Sequence, residues 1–177
     1  MEEINFIIKI FNINYYFILN IILFVSNIIE TMTKKEIISE IADRNAFLNL
    51  LQMNPGLIIL KLGAEWCGPC KTIEHVVHAF FATSPPEVVC ADIDVDNSFD
   101  FYAYLKSKKM VNGIPVMLCY KKGNTNFIPD DSVTGADPTA LNAFFKRCGV
   151  HLLNVQKANP PSQLKKINIP QTLPKST

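Results

Sequence analysis

The chain has 177 residues, enough for one domain with a proper core plus extensions. Its apolar fraction of 49% is that of a globular protein, and a formal charge of +1 argues against a general nucleic-acid binder, which carries a clear basic excess. The five cysteines are an odd number with only two close in sequence, so the chain does not read as a disulfide-stapled secreted scaffold.

Residues 1–31 stand apart. Positions 4–29 hold ten Ile, five Asn, four Phe, two Tyr and one Lys, without Gly, Ala, Pro or Arg. Two readings compete. One is a membrane anchor, since a span needs about 20 apolar residues. The uninterrupted apolar runs are no longer than five residues, however, and Asn5, Asn12, Asn20 and Asn27 would form one polar stripe on a helix. The other reading is a spurious upstream extension, because these are the residues that AT-rich codons encode. Met32 would then start a cytoplasmic protein; a real 4–29 segment would anchor it in a membrane.

Residues 32–149 alternate between element types. Glu36–Ile41 reads as a short strand. Asp43 caps a predicted helix with Phe47, Leu50 and Leu51 on one face, ended by Asn54-Pro55-Gly56. The run from Leu57 to Leu62 is apolar except for Lys61, as expected of a strand buried on both faces. Ile73, Val76, Val77, Phe80 and Phe81 repeat at helical spacing. Val88–Asp94 is a predicted strand, Asn97–Lys106 a helix and Pro115–Tyr120 a strand. Lys122-Gly123-Asn124 turns the chain into a last strand, which Pro129 marks as an interrupted edge. Asp137-Pro138 opens a helix with Leu141, Phe144, Phe145 and Cys148 facing inward. Strands interleaved with helices, then a hairpin and a closing helix, predict an α/β fold with a mixed sheet covered on both sides. Residues 150–177 carry four prolines, four lysines and no acid, and read as a flexible tail.

The chemistry centres on Ala64-Glu65-Trp66-Cys67-Gly68-Pro69-Cys70-Lys71. A strand ends at Leu62 and the Ile73 helix begins a few residues later, which puts Cys67 at the helix N-terminus. Unpaired backbone N–H groups and the helix dipole stabilise a thiolate there. Cys70 follows one turn on, close enough for a disulfide, so the arrangement suits a nucleophile and a resolving thiol. A zinc set of Cys67, Cys70, His75 and His78 is disfavoured: on one helix the first and last would be about 16 Å apart. Both histidines are expected to be solvent-exposed. A purely structural disulfide would close too small a loop to constrain much. Cys90, Cys119 and Cys148 read as buried thiols.

AEWCGPCK after an apolar strand resembles the active-site motif of the thioredoxin family. Ile114-Pro115 at a strand opening, Asp92-Ile93-Asp94-Val95-Asp96 at a strand end, and Gly135-Ala136 extend the resemblance over residues 33–149. It implies a thioredoxin-like fold with a central mixed sheet of four to five strands. It implies Cys67 as nucleophile and Cys70 as resolving thiol, joined as a redox disulfide. Trp66, Gly68 and Pro69 would shape the surface around them. Ile114 would offer its backbone to an extended substrate beside a cis Pro115, with Gly135 and Ala136 continuing that surface.

The implied activity is reduction of protein disulfides by dithiol exchange, with no cofactor and no metal. The implied partners are disulfide-containing proteins and a reductase that regenerates the dithiol. Alternatives are a non-catalytic thioredoxin-like binding module and a membrane-anchored disulfide oxidase or isomerase that uses residues 4–29.

The chain also departs from the family. Lys61 stands where the family usually has a buried acid, and Asp92 stands where it often has lysine. These two are expected to form a swapped ion pair on adjacent strands and to act as a proton relay. The alternative is a Lys61 that merely reaches solvent.

Overall fold

The computed structural model describes residues 20–23, 35–158 and 172–173. Residues 20–23 are a helical turn with Ile21, Ile22 and Leu23 exposed, in a unit separate from Glu36–Thr177. The rest of the 4–29 segment lies outside the described residues. Among those described, no helix is long and apolar enough to cross a membrane.

The second unit runs β1 (Ile37–Ile38), β2 (Glu40–Ile41), α1 (Arg44–Gln52), β3 (Leu57–Gly63), α2 (Gly68–Thr83) and β4 (Val88–Asp94). It continues through α3 (Phe99–Ser107), β5 (Val116–Lys121), β6 (Asp131–Thr134), α4 (Pro138–Ala158) and β7 (Thr172–Leu173). Five strands form one mixed sheet in the order β1-β4-β3-β5-β6. β1, β4 and β3 are parallel, while β5 and β6 run antiparallel to their neighbours.

All seven residues of β3 are buried, which is why its sequence reads as a continuous apolar run. Side chains alternate between the faces. Ile58, Leu60 and Leu62 join Phe47, Leu50, Phe101 and Leu105 of α1 and α3 in one core layer. Leu57 and Ile59 join Ile73, Val77 and Phe81 of α2, and Leu141, Phe144 and Cys148 of α4, in the other. Cys90, Cys119 and Cys148 are buried thiols in that second layer. By the same alternation, Lys61 points to the α2 and α4 side.

Local chemistry sets the helix starts. Asp43 accepts from Ala46 N at 2.8 Å, and Asp137 accepts from Thr139 N at 3.0 Å.

Four expectations need correction. Glu36–Ile41 is not one strand: β1 pairs with β4, whereas β2 pairs with β7. Ile41 N donates to Ser98 Oγ at 2.9 Å, which draws that segment out of the main sheet. The third helix starts at Phe99 rather than Asn97, and the hydroxyl of Ser98, taken by Ile41, makes no cap bond. Pro129 precedes β6 instead of interrupting it.

The expected tail is partly structured as well. α4 runs to Ala158 because Leu152 continues the apolar stripe one turn beyond Cys148 and is buried; Gly149, a residue that commonly ends helices, sits inside it. Thr172–Leu173 form β7, and the remaining tail positions, 159–171 and 174–177, lie outside the described residues.

Candidate active site

The site forms where β3 gives way to α2. Gly63 ends the strand, and Cys67 caps the helix in an extended conformation with Gly68 and Pro69 as its first turn. Cys67 Sγ accepts from Cys70 N at 3.2 Å, and its carbonyl accepts from the N–H groups of Cys70 and Lys71. A sulfur anion at this position would meet the Cys70 amide, already aimed at it, at the positive end of the helix dipole. Cys67 and Cys70 are joined in a disulfide with their Cα atoms 5.2 Å apart. Both are buried, while Gly68, Pro69 and Trp66 are exposed, Trp66 by 70%.

The alternating acids at the end of β4 tie the surrounding chain down. Asp94 accepts from the backbone N–H of Glu65 at 3.2 Å and of Asp96 at 2.8 Å. Asp96 accepts from Trp66 Nε1 at 2.7 Å, which anchors an otherwise exposed indole. The sequence marked this segment only as a match. Its period of two, with three acids on one side of a strand end, is the signal that could have revealed these contacts.

The third acid of that series, Asp92, is the register partner of Lys61 across β3 and β4. Lys61 Nζ lies 3.0 Å from Asp92 Oδ1 and 3.1 Å from Oδ2. The lysine side chain is 8% exposed and the aspartate 22%, so Lys61 does not reach open solvent. A charge this deep needs its partner. The pair also sits by the dithiol. A methyl group added at Gly63 would touch Lys61 Cε at 3.4 Å and Cys70 Sγ at 3.5 Å, so one methyl would span the space between them.

Asp92 has a second partner that sequence reasoning missed. His78 is exposed, as expected, but its Nε2 is 2.8 Å from Asp92 Oδ2. The helical spacing shows which way His78 leaves α2, but not that β4 offers a carboxylate there; only the register of two strands and a helix brings the three together.

The loop before β5 supplies the remaining expected residues. The Ile114–Pro115 bond is cis. Pro115 O accepts from Gly135 N at 2.8 Å, and Gly135 takes φ +97°, a backbone conformation that favours glycine. Gly135 is thereby bonded to the Ile114-Pro115 loop, and Ala136, partly buried, follows it against the second core layer. Ile114 packs against the core layer that contains Cys67 and Cys70. Among the described residues, no cluster of three or more His, Cys, Asp or Glu side chains is arranged to hold a metal ion.

Known proteins resemble this chain in sequence and fold. The sequence model of the family described as Thioredoxin matches residues 38–147. A thioredoxin of Coprinus comatus is 29% identical over 100 residues, covering 56% of this chain and 87% of that protein. The thioredoxin Asp f 29 of Aspergillus fumigatus is 30% identical over 110 residues, covering 62% of this chain and 93% of its own length. The solved thioredoxin of Trichomonas vaginalis superposes with a TM-score of 0.53 at 24% identity, covering 64% of this chain and 98% of that one, and supports the fold alone.

Proposed function

The chain belongs to the thioredoxin family, and from that premise we propose that it reduces disulfides in other proteins by dithiol exchange through Cys67 and Cys70. The observation that carries this reading is Cys67 at the cap of α2, its sulfur facing a backbone amide, with Cys70 bonded to it one turn further in. In the reduced protein, the Cys67 thiolate attacks a substrate disulfide and forms a mixed disulfide, and one substrate thiolate leaves. Cys70 then gives up its proton and attacks Cys67 Sγ. The second substrate thiolate leaves, and the protein is left as the Cys67–Cys70 disulfide.

The two sulfurs themselves carry the electron pair. A reductase must return two electrons before the next turn, so a disulfide protein and a reductase are the partners this reading requires. The exposed indole of Trp66 and the Ile114-Pro115 and Gly135-Ala136 backbone provide a surface on which an extended substrate segment can lie. Lys61 and Asp92 serve the second step. A cation beside Cys70 favours its thiolate, and a carboxylate behind the cation keeps it in place.

Reduction of insulin disulfides by the full chain, with dithiothreitol as electron source, tests the reading. Wild type is expected to turn over and Cys67→Ser to fall to the uncatalysed background. Equal turnover by the two proteins would leave a non-catalytic binding module as the better account.

A further inference from the structure

The sequence contains a single Asn-Gly step, Asn112-Gly113, and it stands directly before Ile114-Pro115. Asparagine is a chemically labile residue, most of all before glycine, where no side chain shields the next amide from the asparagine carboxamide. A fold slows the reaction when it bonds that amide or holds that carboxamide. Here it does neither. Residues 111–115 belong to no helix or strand, and Asn112 is exposed. Among the described residues, neither the Asn112 side chain nor the Gly113 N–H makes a hydrogen bond. A Cβ built on Gly113 would meet nothing within 4 Å, so the space around that amide is open. Other asparagines in loops differ. Asn54, Asn124 and Asn126 are held through their side chains, and Pro, Thr and Phe follow them. Asn97 precedes Ser98, whose N–H is bonded to Asp94 O at 3.0 Å.

We propose that Asn112-Gly113 is a site of spontaneous modification, where the chain closes to a succinimide and reopens as isoaspartate, displacing the Ile114 backbone that receives substrate. In the first step Gly113 N gives its proton to water or hydroxide and attacks Asn112 Cγ. The N–Cγ bond forms, the Cγ–Nδ2 bond breaks, and Nδ2 takes up a proton and leaves as ammonia. Water then opens the ring. Addition at the backbone carbonyl leaves isoaspartate, with the main chain running through Cβ and Cγ and a free carboxylate beside it. Addition at Cγ leaves aspartate. Nothing is oxidised or reduced, and water is the only co-reactant. Isoaspartate lengthens the main chain by one carbon, two residues before Ile114. Pro115 is buried and its carbonyl is held by Gly135 N at 2.8 Å, so the added length falls on Gly113 and Ile114, both half-buried. The effect on turnover rests on the dithiol-exchange reading; the modification itself does not.

Incubating the full chain in mildly alkaline buffer, then mapping its peptides by mass spectrometry, tests the site. Labelling by an isoaspartyl methyltransferase marks the isomer. Position 112 is expected to convert within about ten-fold of its rate in urea, since no native hydrogen bond has to open first. Asn97, Asn124 and Asn126 should keep their amides over the same time. Gly113→Ala, which the open space accommodates, should convert more slowly than wild type, and Asn112→Gln should stay unlabelled. In the insulin assay the isoaspartate fraction should run several-fold slower than unmodified protein, as a displaced positioning backbone predicts. Freshly purified Asn112→Asp, which adds the charge without the extra carbon, should keep most of the rate. Matching thermal melts would confirm that folded species are compared. An Asn112 that converts in urea but not in the native chain would overturn the site. An isoaspartate fraction at full rate, or Asn112→Asp as slow as that fraction, would overturn its effect on Ile114. If wild type is inactive before incubation, the exchange reading fails, and the peptide map still decides the modification.

Discussion

The molecule contains two sets of neighbouring cysteines, and they differ less in burial than in what surrounds them. Cys67 and Cys70 are 5% and 3% exposed, Cys119 and Cys148 2% and 3%. The first pair caps a helix, where amides and the helix dipole favour a negative sulfur. The second pair lies between β5 and α4 in an apolar layer. There the Cys119 thiol is pushed far above the ordinary thiol range, first by its hydrogen bond with Cys148 and then by burial. A buried thiol is reactive or silent according to the groups it meets.

The largest expected effect breaks this comparison directly. Cys67→Ser should abolish insulin reduction, while Cys119→Ala and Cys148→Ala should keep near wild-type turnover. The cost of the latter two should appear in urea melts instead, at about 1–2 kcal/mol for a small buried side chain. A loss of turnover in either, in a protein that still melts cooperatively, would mean the second pair takes part in the chemistry.

A smaller effect is expected at the ion pair beneath the dithiol. Asp92→Ala leaves the ammonium of Lys61 buried without a carboxylate and should cost about 2–4 kcal/mol in the same melts. Lys61→Met removes the buried charge itself and should be close to neutral for stability. It would slow turnover all the same. Reversing both charges, with Lys61→Asp and Asp92→Lys, should recover part of what either reversal loses alone; strictly additive losses would show that the two are not coupled.

The smallest effect lies beside the silent pair, where Asp131 is bonded to Arg147 at 2.6 and 2.9 Å. The arginine bond is the largest cause holding the Asp131 carboxyl below the ordinary carboxylate range. The folded state therefore binds this proton less readily than the unfolded chain. Its stabilisation is complete above about pH 4 and is lost as the pH falls further. Because Arg147 is half exposed, Asp131→Asn should cost under about 1 kcal/mol at pH 7, and nothing once wild-type Asp131 is protonated. A cost that grows on acidification would contradict this account.

Much of the site was legible because it is local. The helix cap, the dithiol and the inner faces of α2 and α4 are written in consecutive or helically spaced residues. Lys61 stood out as one charge in an apolar run, and Asp92 as a charge opposite a predicted neighbour. His78 was not legible as a partner because its bond depends on how α2 lies across β4, which no spacing within either element specifies. The split between β1 and β2 was hidden for a similar reason: Ser98, 57 residues away, takes the Ile41 amide. The extension of α4 was missed: Leu152 keeps the apolar period, but the prolines and lysines of 150–177 led the whole stretch to be read as a tail.

The central claim is that the start of α2 makes Cys67 acidic. Titrating the Cys67 thiol in the reduced protein, by the pH dependence of its alkylation, tests this most directly. The account predicts a pKa clearly below the value of about 8.5 for a free cysteine, with Cys119 and Cys148 unmodified until the protein unfolds. A Cys67 that titrates like a thiol in an unstructured peptide would contradict it.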